Sequence, residues 1–239
     1  MNQNYLDAEV IDIIDEAPGV KRYFLLIKDE EKFTFQPGQF VMLDFPIEHK
    51  FTYRSYSIAS APSDDNIIEL CIVLKEDGSA TPYIFKNVKV GDIIKCTKPL
   101  GKFVLQEPIE NDVCFIATGT GVAPFRSMLG HIFSQNLPHK NIYLLFGNRK
   151  EEDILYRREF ETYAEAYPEF KFIPVLSRET KDNWEGETGY VHPVYEKLFD
   201  GSQEATFYIC GWSKMVREAK NRLKEFGYNR KQLKFELYD

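Results

Sequence analysis

The 239-residue chain is 44% hydrophobic and 28% charged, with 14 Gly and 12 Pro, proportions that exclude a disordered or collagen-like chain and fit one large domain or two small ones. Its net charge of -7 argues against a general nucleic-acid binder, and no apolar run approaches the roughly 20 residues that span a bilayer. Cys71, Cys96, Cys114 and Cys210 are scattered with no C-x-x-C, and the histidines form no ligand spacing, so neither a metal site nor a disulfide framework is expected. Residues 1–4 carry neither a basic nor an apolar leader region, and a cytoplasmic protein is expected.

In the first half, Ala8, Val10 and Ile14 share one parity of a strand. Residues 23–27, 40–43, 55–59 and 67–74 are further short runs rich in β-branched and aromatic side chains. Turn signals separate them: Ala17-Pro18-Gly19, Gln36-Pro37-Gly38, Ala61-Pro62-Ser63-Asp64, Lys75-Glu76-Asp77-Gly78 and Val90-Gly91-Asp92. This rhythm predicts an antiparallel barrel or sandwich, interrupted by one short helix over residues 82–87.

From Asp112 the rhythm becomes strand–helix. The run Val113-Cys114-Phe115-Ile116-Ala117 suits a strand covered on both faces. A Gly-rich turn and a helix through Met128 and Ile132 follow. Strands are predicted at 142–146, 170–176, 207–210 and 233–238, and helices at 155–167, 193–199 and 213–226, the last capped by Ser213. Alternation of this kind means a mostly parallel sheet. The chain therefore divides into an antiparallel β-barrel over residues 1–108 and an α/β parallel-sheet domain over residues 109–239.

Three motifs carry chemistry. Ala117-Thr118-Gly119-Thr120-Gly121-Val122-Ala123-Pro124 follows an apolar strand and opens a helix. Its glycines allow a sharp turn and close approach to a pyrophosphate, although the spacing alone also fits a plain βα turn. Arg54-Ser55-Tyr56-Ser57 begins a strand and sets a cation beside a ring, as a ligand with both phosphate and a flat ring requires; a surface Arg and a packed Tyr fit equally. Cys210-Gly211 ends a strand, where α/β sheets bind ligands, and a buried core cysteine is the alternative.

Together and in this order, the three motifs resemble the ferredoxin–NADP reductase family of flavoproteins, whose signature is an R-x-Y-S strand, a G-T-G-x-A-P loop and a C-G turn. The resemblance implies FAD bound by the barrel, a nicotinamide dinucleotide bound by the α/β domain, and hydride transfer between them. It implies that Arg54 pairs with flavin phosphate, Tyr56 packs on the isoalloxazine, and Ser57 lies near its reactive nitrogen, with Ser55 between them. Cys71, Ile72 and Val73 match the strand beside the flavin. Gly78-Ser79-Ala80-Thr81 matches the pyrophosphate cap of FAD-binding members, with Thr81 as its hydroxyl, and Pro99-Leu100-Gly101-Lys102-Phe103 the turn that closes the barrel.

Thr118, Gly119, Thr120, Gly121 and Pro124 then hold the dinucleotide, and Cys210 and Gly211 sit near the nicotinamide. Ser177 and Arg178 match a segment that reads the 2′-phosphate of NADPH, with NADH possible, and Tyr190 is placed to stack on adenine. The chain ends Glu236-Leu237-Tyr238-Asp239; Tyr238 is expected to cover the flavin and Glu236 to lie near Ser57 and Cys210, although Asp239 departs from the plant-type ending. No cysteine set for a cluster is present, so the implied partner is a separate one-electron carrier, a ferredoxin or flavodoxin, docking on Lys50, Lys75, Lys98 and Lys102. A reductase component for an oxygenase or haem protein, a free-flavin reductase and a non-enzymatic flavoprotein subunit are the alternatives.

Overall fold

The computed structural model describes residues 5–47, 50–180 and 184–238, with backbone only for 50 and 51. The chain forms two compact units, one from residues 1–105 with 123–135, the other from 106–122 with 136–239. The motif-based division at 108 assigns 123–135 to the second half of the chain, whereas the contacts group that segment with the first.

The first unit holds β1 (Leu6–Ala17), β2 (Val20–Ile27), β3 (Phe40–Ile47), β4 (Lys50–Ser57), β5 (Ile67–Val73), α1 (Ala80–Asn87), β6 (Ile93–Cys96) and, from later in the chain, α2 (Ala123–Ser134). The six strands are antiparallel, in the order β4-β3-β6-β1-β2-β5. An Ile58–Leu70 bridge joins the two outermost strands and closes the sheet on itself. Alternation fills the interior with Val10, Leu25, Val41, Phe45, Ile68 and Leu70. The expected parity of β1 breaks at a bulge between Val10 and Asp12: Ile14 turns outward, 38% exposed, and Ile13 packs on the core instead. β6, with only four residues, was not expected from the pattern. α1 starts two residues before its predicted bound and buries Ala80 and Ile84 in the barrel core.

The second unit is a parallel sheet built from β7 (Asp112–Thr118), β8 (Ile142–Asn148), β9 (Phe170–Leu176), β10 (Glu187–Thr188), β11 (Ala205–Trp212) and β12 (Leu233–Tyr238), with α3 (Arg157–Ala166), α4 (Val191–Leu198) and α5 (Ser213–Glu225). Its order is β10-β9-β8-β7-β11-β12. β7 is buried from Val113 to Ala117, as a two-sided apolar run requires. α4 and α5 cover one face, where Val194, Tyr195, Val216 and Ala219 meet Cys114, Ile116 and Leu145. On the other, Phe160 of α3 packs on Phe172 at 5.3 Å between centroids. Ser213 is the first residue of α5 rather than its cap; Trp212 holds the cap position, because β11 runs straight into the helix. Among the described residues, no helix is long and apolar enough to cross a membrane.

Candidate cofactor sites

On the barrel, β4 brings Arg54 to its outer surface. Its guanidinium donates to the Tyr53 carbonyl at 2.8 Å and reaches the Ser79 hydroxyl at 3.4 Å. Ser79 occupies the N-cap of α1 but makes no side-chain cap bond, and no acidic residue lies in the helix's first turn. A guanidinium, a hydroxyl and uncapped helix N–H groups thus converge, donors suited to a phosphate. Two motifs separated by more than twenty residues meet here: R-x-Y-S and Gly78-Ser79-Ala80-Thr81. The Thr81 hydroxyl is engaged elsewhere. It accepts from the Lys75 N–H at 2.8 Å and donates to the Lys75 carbonyl at 3.2 Å, closing the turn before the helix. Ser79 is therefore the hydroxyl beside Arg54.

Tyr56 is half-buried against the barrel core, and desolvation drives its phenol well above the usual tyrosine range despite the opposing charge of Arg54. Ser57 is 5% exposed at the end of β4, paired in register with Phe40. Cys71 and Ile72 are buried in β5 and Val73 is exposed.

Beyond Ser57 lies a group of charges that the motifs did not reveal. Glu69, 2% exposed, accepts a fork from Arg22 at 2.6 and 2.9 Å and a third bond from Arg126 of α2 at 2.8 Å. Arg22 also lies 3.4 Å from Glu16. Arg126 donates to the Ala59 carbonyl at 3.0 Å, and Ser127 donates to the Ser60 carbonyl at 2.7 Å. A buried carboxylate needs such partners, because desolvation otherwise makes its charge untenable.

In the parallel sheet, β7, β8, β9 and β10 lie to one side in sequence order and β11 and β12 to the other. The order reverses between β7 and β11, and such a switch point opens a crevice at the carboxyl ends of the strands. Gly119-Thr120-Gly121-Val122 forms a single 3₁₀ turn there. A Cβ on Gly119 would meet nothing within 4 Å, whereas one on Gly121 would meet the Cys210 carbonyl oxygen and Gly211 Cα at 2.6 Å. One glycine leaves the crevice open and the other lets the turn pack directly on the end of β11. Gly211 has φ +133, and its own Cβ would strike the Thr118 hydroxyl. That hydroxyl accepts from the Trp212 N–H at 3.0 Å. Pro124 is the second residue of α2, where a missing N–H costs nothing.

Cys210 is fully buried, paired in register with Glu236 on β12 and Ala117 on β7. Burial pushes its thiol well above the usual range and the Glu236 charge adds to this, while hydrogen bonds from the Tyr238 hydroxyl and the Gly211 backbone oppose it. Cys210, Glu236 and Tyr238 therefore form one cluster. Asp239 lies outside the described residues.

At the tips of β8 and β9, the Ser177 N–H and hydroxyl both donate to the Asn148 carbonyl, at 3.0 and 3.2 Å, and the Arg178 N–H donates to the Arg149 carbonyl at 2.8 Å. Two exposed guanidinium side chains thereby share one strand tip. Arg149 was missed in the sequence; its signal is position, one residue past an apolar strand. Tyr190, 73% exposed, caps α4 nearby in sequence and is free to serve as a stacking surface.

Of the lysines expected to dock a carrier, Lys98 is paired with Glu30 at 2.6 Å, Lys75 and Lys102 are exposed, and the Lys50 side chain lies outside the described residues. A further positive cluster stands on α5 and the segment after it, where burial first, and then the charges of Lys224, Arg217 and Arg230, lower the pKa of Lys220.

Comparison with known proteins is consistent with both sites. An oxidoreductase FAD-binding domain model matches residues 7–105, and an oxidoreductase NAD-binding domain model matches residues 115–221. A ferredoxin–NADP reductase B of Sorangium cellulosum is 31% identical over 98% of this chain and 97% of its own length. A phenol hydroxylase P5 protein of Acinetobacter pittii is 33% identical over 92% of this chain, which spans only 62% of that relative's length. The crystal structure of a Neisseria gonorrhoeae ferredoxin NADP+ reductase with bound FAD and NADP superposes with a TM-score of 0.84 at 25% identity, covering 98% of each chain.

Proposed function

The chain belongs to the ferredoxin–NADP reductase family of flavoproteins, and from that premise we propose that it is an NAD(P)H-dependent oxidoreductase passing electrons to or from a separate one-electron protein carrier. When bound, FAD and the nicotinamide supply the hydride exchange and the release of single electrons. The observation that carries the reading is the pairing on one chain of two cradles: the Arg54–Ser79 phosphate site of a closed barrel and the glycine-walled crevice at a sheet's switch point.

The residues present fit both cofactors. Arg54, Ser79 and the α1 N-terminus hold the FAD pyrophosphate, Tyr56 and residues 71–73 flank the flavin, and Ser57 lies beside its reactive nitrogen. Thr118, Gly119, Thr120 and Gly121 hold the dinucleotide, with Pro124 fixing the helix start. Cys210, a neutral thiol, lines the nicotinamide position without a charge of its own, and Glu236 and Tyr238 orient it. Tyr238 competes with nicotinamide for that place. Ser177, Arg178 and Arg149 take the 2′-phosphate, since two guanidinium forks suit a dianion, and the neighbouring Glu179 carboxylate is engaged by the Glu151 N–H at 2.9 Å. This favours NADPH over NADH. The carrier is a ferredoxin or flavodoxin, and the protein is cytoplasmic. The 33% identity to a phenol hydroxylase component supports a second reading, delivery of electrons to an oxygenase.

Purified protein should be yellow and hold about one FAD. NADPH-driven reduction of a dye, compared with ferredoxin-coupled cytochrome reduction, tests both halves of the reading. A colourless protein that does not take up added FAD overturns it. Dye reduction without ferredoxin coupling points to the oxygenase reading.

A further inference from the structure

We propose that Arg126 is a positioning residue for flavin reduction: through one nitrogen it latches the start of α2 to the backbone two residues past Ser57. The inference rests on the reading above, in which Ser57 lies beside the flavin. The Arg126 nitrogen that donates to Glu69 at 2.8 Å also donates to the Ala59 carbonyl at 3.0 Å. The same short segment is held from every side. The Ile58 N–H donates to the Gln39 carbonyl at 2.9 Å and the Ala59 N–H to the Glu69 carbonyl at 2.7 Å. Ser60 accepts at its carbonyl from Ser127 at 2.7 Å and at its hydroxyl from the Glu69 N–H at 3.0 Å.

A strand that merely ended would need only its ladder. Here, two consecutive side chains of α2 and a buried carboxylate of β5 fix the backbone that leaves Ser57. Buried ion pairs are seldom the most stabilising way to fill a core, but they are directional, because they are satisfied in one geometry only. α2 also begins at the residue after Val122, so the helix anchored by this latch is the one that the Gly119–Val122 turn feeds. The latch holds Ser57 in place from the carboxyl side, as its pairing with Phe40 does across the strand. A displacement of about 1 Å at such a position is enough to slow a transfer step about 100-fold.

Both bonds come from a single nitrogen, so a lysine ammonium can replace it and a methionine cannot. Arg126→Met should lower the limiting rate of flavin reduction by NADPH about 10- to 100-fold, while the NADPH KM and the FAD Kd each move less than about fivefold. Hydrogen exchange should show lost protection at the Ala59 amide, a readout independent of turnover. Arg126→Lys should recover the rate to within about threefold of the parent. Ser127→Ala, which removes only the Ser60 bond, should slow reduction about threefold and serves if Arg126→Met fails to fold or to hold FAD. A parental rate in Arg126→Met, or in Ser127→Ala where the former does not fold, overturns the inference. So does Arg126→Lys as slow as Arg126→Met, or unchanged Ala59 protection. A parent protein that takes up no FAD instead overturns the functional reading, and the exchange measurement still decides the latch.

Discussion

Gly121→Ala adds one methyl group where the turn after β7 touches the end of β11. That methyl meets the Cys210 carbonyl oxygen and Gly211 Cα at 2.6 Å and the Cys210 carbonyl carbon at 2.7 Å, all backbone atoms. Ordinary contact begins at 3.4 Å, so the Gly119–Val122 turn and the end of β11 must part by about 0.8 Å. No rotamer change relieves this, and Cys210 is already paired with Ala117 in the ladder below. Overpacking against an unyielding wall costs about 1–3 kcal/mol. For a chain of this size that is a fall of about 3–10 °C in melting temperature. Spreading the crevice also misplaces the turn that meets the pyrophosphate, so NADP+ should bind about tenfold or more weakly, while FAD stoichiometry stays at that of the parent. Thermal unfolding and calorimetric titration of the FAD-loaded protein measure both. An unchanged melting temperature together with unchanged NADP+ affinity would refute the close-packed switch point as the basis of binding.

Arg54→Ala removes a charge-assisted phosphate contact and should weaken FAD binding by about 1.5–3 kcal/mol, read by fluorescence titration of the apoprotein; an unchanged Kd would place the phosphate elsewhere. Arg178→Ala should raise the KM for NADPH about 10- to 100-fold with little change for NADH, and Arg149→Ala should do the same; parallel shifts for both cofactors would mean that neither reads the 2′-phosphate. Cys210→Ala should keep its FAD and slow reduction by saturating NADPH, and an unchanged rate would make Cys210 a packing residue only. Because its folded-state pKa is raised, Cys210 stays protonated at pH 8 and should resist iodoacetamide, and its contribution to stability is lost only as pH rises past the unfolded thiol value of about 8.5; rapid labelling of the native protein at pH 8 would contradict that burial.

Much of this was legible in the sequence, for physical reasons that differ by element. The strand 170–176 appears with its predicted bounds, because Phe170, Phe172, Ile173 and Val175 favour an extended chain even though Lys171 among them is exposed. The glycine turn after β7 was readable because only glycine meets its steric demands. Ile14 was misplaced because a one-residue bulge resets a period of two, and no local signal announced it. The Thr81 hydroxyl was assigned to a phosphate although a backbone turn competes for it. Arg126 and Glu69 stand 57 residues apart, and neither looks unusual in its own segment. Pairings of that separation belong to tertiary structure and leave no mark on a window of ten residues.

The assignment of residues 123–135 to the barrel unit has a consequence for how the protein is made. As the chain leaves the ribosome, the six barrel strands emerge first, but Glu69 waits for Arg126 until more than fifty further residues have been synthesised. The barrel is therefore incomplete when its last strand appears, and the first part of the nucleotide sheet, β7, is already out before the barrel is finished. A fragment ending near residue 108 would leave the Arg126 contacts to Glu69 and Ala59 unmade. One ending near residue 135 would include them, together with the first strand of the other unit. Separate expression of the two halves thus has no clean cut in the linear chain, and folding of the two units is interleaved in time.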